Sequence, residues 1–330
     1  MRKEIQLYEY QKDMLRQIED AFVTHQSVMV QMPTGTGKTV LISEVVKREE
    51  RRVKNPCVWI VVHRRELVEQ IKETLERRLG TSLDAEREKS NVIEVFSIQW
   101  LSRHYQELEE RPSLIVIDEA HHAVAKTYEE VMNAYPDAKK LGVTATPCRL
   151  TKRGFTDLFE VLLCSHSIPK FIKEGYLSDF DYISLNPNSE DQKKIDELEK
   201  RAADGDYNIA EMQEVLDCKP SIERLYQTIK DFAAGKKGIV YAINIEHAEH
   251  IAEYYREQGL AAVAISSKTP KEERRRMIEL FKEGSAGDKP YCASLSLITT
   301  VGQDETPKEI QILVNVDLFG EGFDCPDVEF

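Results

Sequence analysis

One short stretch constrains the fold of this chain more than any other, the segment Met32-Pro-Thr-Gly-Thr-Gly-Lys-Thr39 between an apolar β-prone run and a helix-prone run. Gly35 and Gly37 allow the backbone to wrap closely around an anion, and the first N–H groups of the following helix add donors. Lys38 can reach the outer phosphates of a nucleotide, and Thr39 can offer a hydroxyl to Mg²⁺. The segment therefore predicts a phosphate-binding loop inside an α/β fold.

Short apolar runs alternate with charged amphipathic stretches along the chain, which is the pattern of βα units around a parallel sheet. The predicted strands of the first half are 27–31, 57–62, 92–95, 114–117 and 140–143. In the second half the predicted strands are 238–243, 261–265 and 310–316, with helices at 246–258 and 271–282. The fold class is therefore α/β, with parallel sheets flanked by helices.

The length of 330 residues favours two globular domains over one. After Phe155 the alternation weakens into a polar stretch from 186 to 234. We predict a first domain at 1–165, a connector with a helical linker at 166–235, and a partial second domain at 236–330.

The formal net charge of −13 argues against a general polyanion-binding surface. It still permits a narrow phosphate track built from a few cations and backbone N–H groups. No apolar run approaches the roughly 20 residues that a membrane span needs, and the first residues do not resemble a signal peptide. The six cysteines are scattered singly, without a Cys-x-x-Cys pair. We therefore expect a cytoplasmic protein with reduced cysteines, no membrane partner and no zinc site.

The segment Asp118-Glu-Ala-His-His122 directly follows a predicted strand. Asp118 can hold Mg²⁺, and Glu119 can orient and deprotonate a water in in-line phosphoryl transfer. Two acids after a strand are more often a solvated helix start, but the phosphate-binding loop disfavours that interpretation. Because the adjacent pair His121 and His122 lacks further spaced ligands, we favour polar coupling over zinc binding.

The chain resembles the DEAD/DEAH-box helicases of superfamily 2 over nearly its whole length, because further segments match that family's motifs in order. They are 8–11, 62–70, 95–99, 144–147, 238–244 and 317–327. Within the family, 144–150 and 321–326 are most similar to RadD-like DNA translocases and to the R subunits of restriction enzymes, including type III.

The resemblance implies an ATP-dependent helicase or translocase with two RecA-like domains, in which ATP and Mg²⁺ bind at the cleft between the domains. DNA is favoured over RNA as the nucleic-acid partner, and no protein partner is indicated. It implies nucleotide binding by Gln11, Thr34, Gly35, Thr36, Gly37, Lys38, Thr39, Asp118, Gly322 and Asp324. It also implies catalysis by Glu119 and Lys38, Mg²⁺ binding by Thr39 and Asp118, nucleic-acid contact by Arg65, Ser97 and Gln99, and coupling by His121, Thr144 and Thr146.

The chain departs from the family in two places. Family members carry a sixth motif with an arginine finger, and no Gln-x-x-Gly-Arg-x-x-Arg pattern occurs before the chain ends at Phe330. On that comparison we expect a fragment or truncated product with weak or no hydrolysis, an incomplete second domain and an exposed apolar edge around 312–314. The segment 285–309 is an insertion relative to the family.

Two other functions compete with a motor. A nucleotide-gated module could clamp nucleic acid without productive turnover, and nucleic-acid-stimulated turnover separates it from a motor. A P-loop kinase would explain the phosphate-binding loop and Asp118, but not the segments 144–147 and 317–327.

Overall fold

The structure is a computed structural model that describes residues 6–63, 66–80, 92–123, 126–147, 158–184, 189–198, 207–283, 309–319, 325 and 327–330. The chain divides into two compact units, Met1–Asp181 and Tyr182–Phe330. The division falls inside the predicted connector 166–235. Phe171 belongs to the core of the first unit, whereas Ile222 and Ile229 belong to a core of the second.

The first unit is a parallel sheet of six strands with helices on both faces. Its strand order is β3-β2-β4-β5-β1-β6. The strands are β1 (Ser27–Gln31), β2 (Cys57–Val62), β3 (Val92–Ser97), β4 (Leu114–Asp118), β5 (Lys139–Thr144) and β6 (Val161–Cys164). The helices are α1 (Glu9–Thr24), α2 (Lys38–Arg52), α3 (Glu66–Leu79), α4 (Ile98–His104), α5 (Lys126–Ala134) and α6 (Ile168–Lys173), and a short 3₁₀ helix covers Ala120–His122.

The continuous apolar runs form strands because both faces of the sheet are covered. Along β2, Val58 and Ile60 pack into the core that includes α1 and α2, whereas Trp59 and Val61 pack into the core that includes α4 and α5. All five strands predicted in the first half are present, and their bounds agree to within two residues.

Strand β6 was not predicted from the sequence. Its side chains alternate between half-buried and exposed, and Leu162 is 45% exposed at this edge of the sheet. A four-residue edge strand without a continuous buried run gives a weak sequence signal.

The second unit contains a parallel sheet of three strands in the order β7-β9-β8. These strands are β7 (Gly238–Tyr241), β8 (Ala262–Ile265) and β9 (Ile312–Asn315). Its described helices are α7 (Glu190–Asp196), α8 (Ile209–Leu216), α9 (Lys219–Phe232), α10 (Ile245–Glu257) and α11 (Lys271–Glu283).

The expected exposed apolar edge at 312–314 is wrong. Although β9 comes last in the chain, it lies between β7 and β8, and Ile312, Leu313 and Val314 are each 0% exposed. Apart from Glu309, the insertion 285–309 lies outside the described residues. No helix in the part of the chain that the structure describes is long and apolar enough to cross a membrane.

Candidate active site

The candidate site residues lie where parallel strands of the first unit end. In a parallel sheet these carboxyl ends share one edge, which is where α/β folds bind ligands. The strand order places the ends of β3, β2, β4, β5 and β1 side by side. The residues found there are Ser97 at the end of β3 and Gln99 after it, His63 after β2, Glu119 to His122 after β4, Thr144 to Thr146 at β5, and Met32 to Thr39 after β1.

The phosphate-binding loop requires both of its glycines. Gly35 and Gly37 have φ angles of +82° and +84°, which are left-handed conformations that favour glycine. A Cβ atom on Gly37 would lie 2.6 Å from Nε2 of Gln11. Thr36, between the glycines, is buried, and its hydroxyl donates to the Pro33 carbonyl at 2.6 Å. The loop is therefore closed on itself and leads directly into α2.

Two side chains from the start of α1 are hydrogen-bonded to the backbone of the loop. The Tyr10 hydroxyl and Nε2 of Gln11 both donate to the Thr36 carbonyl, at 2.9 and 3.2 Å. Burial, with smaller contributions from Tyr8 and Tyr176, raises the pKa of Tyr10 to about 12, so the hydroxyl keeps its proton. Sequence reasoning named Gln11 and missed Tyr10. A tyrosine next to Gln11, in the same matched segment, was the available signal.

Lys38 and Glu119 form an ion pair at the centre of this edge. Nζ of Lys38 lies 2.8 Å from Oε1 of Glu119, and the two side chains are only 12% and 15% exposed. Burial acts to raise the pKa of Glu119, but hydrogen bonding to His121 and the charge of Lys38 outweigh it, so this pKa is lowered from its ordinary value. The carboxylate therefore stays ionised and able to accept hydrogen bonds.

Glu119 also has an unusual backbone conformation. Its φ angle is +49°, in the left-handed region, where a residue with a Cβ atom is strained. The His122 N–H donates to the Glu119 carbonyl at 3.0 Å and closes the turn into the 3₁₀ helix. This strained turn after β4 directs the Glu119 carboxylate to Lys38.

The predicted coupling residues form one connected network with Glu119. Nδ1 of His121 lies 2.9 Å from Oγ1 of Thr144 and 3.4 Å from Oε2 of Glu119. The Thr144 hydroxyl accepts from the Thr146 N–H at 3.1 Å, and Thr144 is fully buried. The network joins the ends of β4 and β5, and Lys38 extends it to the loop after β1.

The residues predicted to hold Mg²⁺ supply oxygen atoms, which that ion prefers. Asp118 is the last residue of β4, and Thr39 lies in the first turn of α2. Thr34 is exposed on the phosphate-binding loop. The types of donor present therefore fit a nucleotide–Mg²⁺ complex.

The residues predicted to contact nucleic acid differ in their exposure to solvent. Ser97 is buried, and its hydroxyl caps α4 by accepting from the Trp100 N–H at 3.4 Å. Gln99 is exposed, and its Nε2 donates to the His63 carbonyl at 2.7 Å. Arg65 lies outside the described residues, as do the predicted nucleotide-binding residues Gly322 and Asp324.

This fold and this site define a nucleotide-binding α/β protein of the P-loop class. Residues 4–149 match the family model described as "Type III restriction enzyme, res subunit". Together with the ordered motifs and the relatives that follow, this match shows that the chain is similar to superfamily 2 helicases of the type III restriction-subunit type.

Three curated relatives show how far the similarity extends. The "51.5 kDa protein" of a Lactococcus phage is 31% identical over 91% of this chain and 57% of its own length. The "Putative ATP-dependent helicase IRC3" of Saccharomyces cerevisiae is 24% identical over 98% of this chain and 46% of its own length. The "DNA 3'-5' translocase XPB2" of Sulfurisphaera tokodaii is 22% identical over 99% of this chain and 74% of its own length. The chain spans about half the length of the first curated relatives it matches.

Proposed function

We propose that this chain is the motor part of an ATP-dependent helicase or translocase that acts on DNA. The observation that carries the proposal is the half-buried pair of Lys38 and Glu119, 2.8 Å apart, between the phosphate-binding loop and the end of β4. A cation for the phosphates and an ionised carboxylate for the attacking water are the two groups that in-line phosphoryl transfer requires at one place.

The residues of the site have distinct roles in the proposed reaction. The loop N–H groups and Lys38 bind the outer phosphates of ATP, and Asp118 and Thr39 hold Mg²⁺. When bound, ATP supplies the phosphoryl group, and Mg²⁺ neutralises part of the charge on that group. Glu119 orients the attacking water and accepts its proton, while His121 restrains Oε2 of the carboxylate.

The nucleic acid is proposed to cross the neighbouring strand ends of β2 and β3. Gln99 is exposed there, and Arg65 follows β2 in the sequence. Because the chain carries a net charge of −13, such a track must be narrow and local.

DNA is favoured because the matched family is described as a restriction enzyme and one relative is named as a DNA translocase. On the same resemblance, Gly322 and Asp324 are proposed as further nucleotide-binding residues. The names of the relatives give no support to a module without turnover.

The substitution Lys38→Ala tests the nucleotide site. We expect the dissociation constant of Mg²⁺-ATP, measured by isothermal titration calorimetry, to rise by about 10-fold or more, because a charge-assisted hydrogen bond is worth about 1.5–3 kcal/mol. Lys47→Ala is the matched control, since Lys47 lies on the same helix and pairs with Glu44 instead. Unchanged affinity in the Lys38 variant would contradict the assignment of the loop.

The substitution Glu119→Gln tests the catalytic assignment in the full-length protein. The amide keeps the shape but cannot take the proton of water, so we expect ATP to bind while hydrolysis falls by about 10²–10⁴-fold. Glu129→Gln on the exposed face of α5 is the control. Rates are measured without nucleic acid and with single-stranded DNA, duplex DNA or RNA. Hydrolysis at the parent rate would rule out Glu119 as the base, and stimulation by RNA alone would reject DNA as the substrate.

A further inference from the structure

Two histidines that the proposed chemistry does not use are stacked beside the catalytic residues. The rings of His63 and His122 have centroids 3.8 Å apart and planes 13° from parallel. His63 directly follows β2, and His122 ends the 3₁₀ helix that follows β4. Since β2 and β4 are neighbours in the sheet, the two rings bridge adjacent strand ends.

The ring of His122 has a further ring contact, and the backbone of His63 has a contact of its own. The His122 ring lies 4.1 Å from that of His121, whose Nδ1 faces Glu119 and Thr144. On the other side, Nε2 of Gln99 donates to the His63 carbonyl at 2.7 Å. The contacts therefore follow the sheet order from the end of β3 through β2 and β4 to β5.

The backbone of His122 is also hydrogen-bonded to a residue with a left-handed backbone conformation. The His122 N–H donates to the carbonyl of Glu119, which has a φ angle of +49°. A left-handed residue with a Cβ atom persists only because its surroundings hold it there. A displacement of the His122 ring therefore acts on the turn that directs the Glu119 carboxylate.

We propose that the His63–His122 stack is a positioning device that transmits nucleic-acid binding at the ends of β2 and β3 to Glu119. This inference rests on the proposed function, because it requires nucleic acid at that edge. Nucleic acid that binds over His63 and Gln99 fixes the position of the His63 ring. The stacked ring of His122 then holds the 3₁₀ helix, and with it the orientation of Glu119. His63 and His122 are positioning residues, because they act through Glu119.

The test measures ATP hydrolysis by the full-length protein with and without single-stranded DNA. In His63→Ala and in His122→Ala we expect the ratio of stimulated to unstimulated rate to fall about fivefold or more, within the usual range of coupling between sites. His63→Phe and His122→Phe keep a ring that can stack, and we expect each to retain most of the ratio. His25→Ala, at the end of α1 and away from this edge, is the matched control and leaves both rates unchanged.

A double variant separates transmission through the stack from two independent local effects. If the two rings act as one unit, the loss in the double alanine variant equals that in either single variant. Tryptophan fluorescence shows whether each variant is folded, and His63→Gln replaces any His63→Ala protein that is not. The inference is overturned if the alanine variants keep the wild-type ratio, if the phenylalanine variants lose it equally, or if the losses are additive. A wild-type protein that no nucleic acid stimulates contradicts the proposed function itself.

Discussion

The substitution Gly37→Ala is expected to destabilise the first unit by more than the cost of placing an alanine in a left-handed backbone conformation. An L-residue at a φ angle of +84° costs about 1–2 kcal/mol, and a smaller gain from the stiffer unfolded chain offsets part of it. The new Cβ atom would also lie 2.6 Å from Nε2 of Gln11. Gln11 must then move and give up its hydrogen bonds to the Thr36 carbonyl and the Tyr8 N–H. At about 1 kcal/mol each, these bonds bring the expected loss to about 3 kcal/mol.

Gly175→Ala is the matched control for this experiment. Gly175 also lies in the first unit and has a φ angle of +76°, but a Cβ atom there meets nothing within 4 Å. Its substitution therefore measures the cost of the left-handed backbone alone, about 1 kcal/mol. The difference between the two variants measures the contacts of the new Cβ atom, which lie at 2.6 Å from Nε2 of Gln11 and at 3.2 Å from Cγ2 of Val40.

Urea unfolding followed by tryptophan fluorescence reports on the first unit, because the chain has two tryptophans and both, Trp59 and Trp100, lie there. In a Gln11→Ala background the penalty of Gly37→Ala should shrink towards that of Gly175→Ala, because only the 3.2 Å contact with Val40 remains. An equal loss for the two glycine variants would refute the reasoning. So would a penalty that persists unchanged without the Gln11 side chain.

Two further predictions concern other buried polar groups. Tyr10→Phe should cost about 1 kcal/mol of first-unit stability in the same fluorescence assay, because it removes the 2.9 Å hydrogen bond to the Thr36 carbonyl; no loss would show that Gln11 alone supports the loop. In the second unit, hydrogen bonding from Arg224 lowers the pKa of Asp191 more than burial raises it. The stability advantage of the wild type over Asp191→Asn should therefore be complete above the ordinary aspartate pKa and disappear as the pH falls through the lowered folded value. Thermal unfolding followed by circular dichroism measures this advantage, and one that grows in acid would contradict the sign.

Much of the first unit could be predicted because its signals are local. A strand buried on both faces appears as a continuous apolar run, as in Cys57–Val62, whatever its neighbours are. The phosphate-binding loop is equally local, since Gly35 and Gly37 supply conformations that other residues adopt only with strain. The placement of Lys38 and Glu119 after strands predicted that both lie at one edge, because the carboxyl ends of parallel strands share an edge.

Other features depend on which strands become neighbours. The sequence places β9 last, so an exposed edge at Ile312 to Val314 was a reasonable expectation until the structure placed that strand in the middle of its sheet. Strand β6, with its alternating exposure, was missed because it becomes a strand by pairing with β1.

The sequence by itself determined the α/β class, the first five strands and the conformation of the phosphate-binding loop, since each follows from short-range sterics or burial. Only the tertiary structure decided that Tyr10 holds Thr36, that His121 lies between Glu119 and Thr144, and that His63 stacks on His122. The physical reason is the strand order β3-β2-β4-β5-β1-β6, which differs from the order along the chain. Non-local pairing sets that order, and it brings together side chains whose separation in sequence carries no signal of contact.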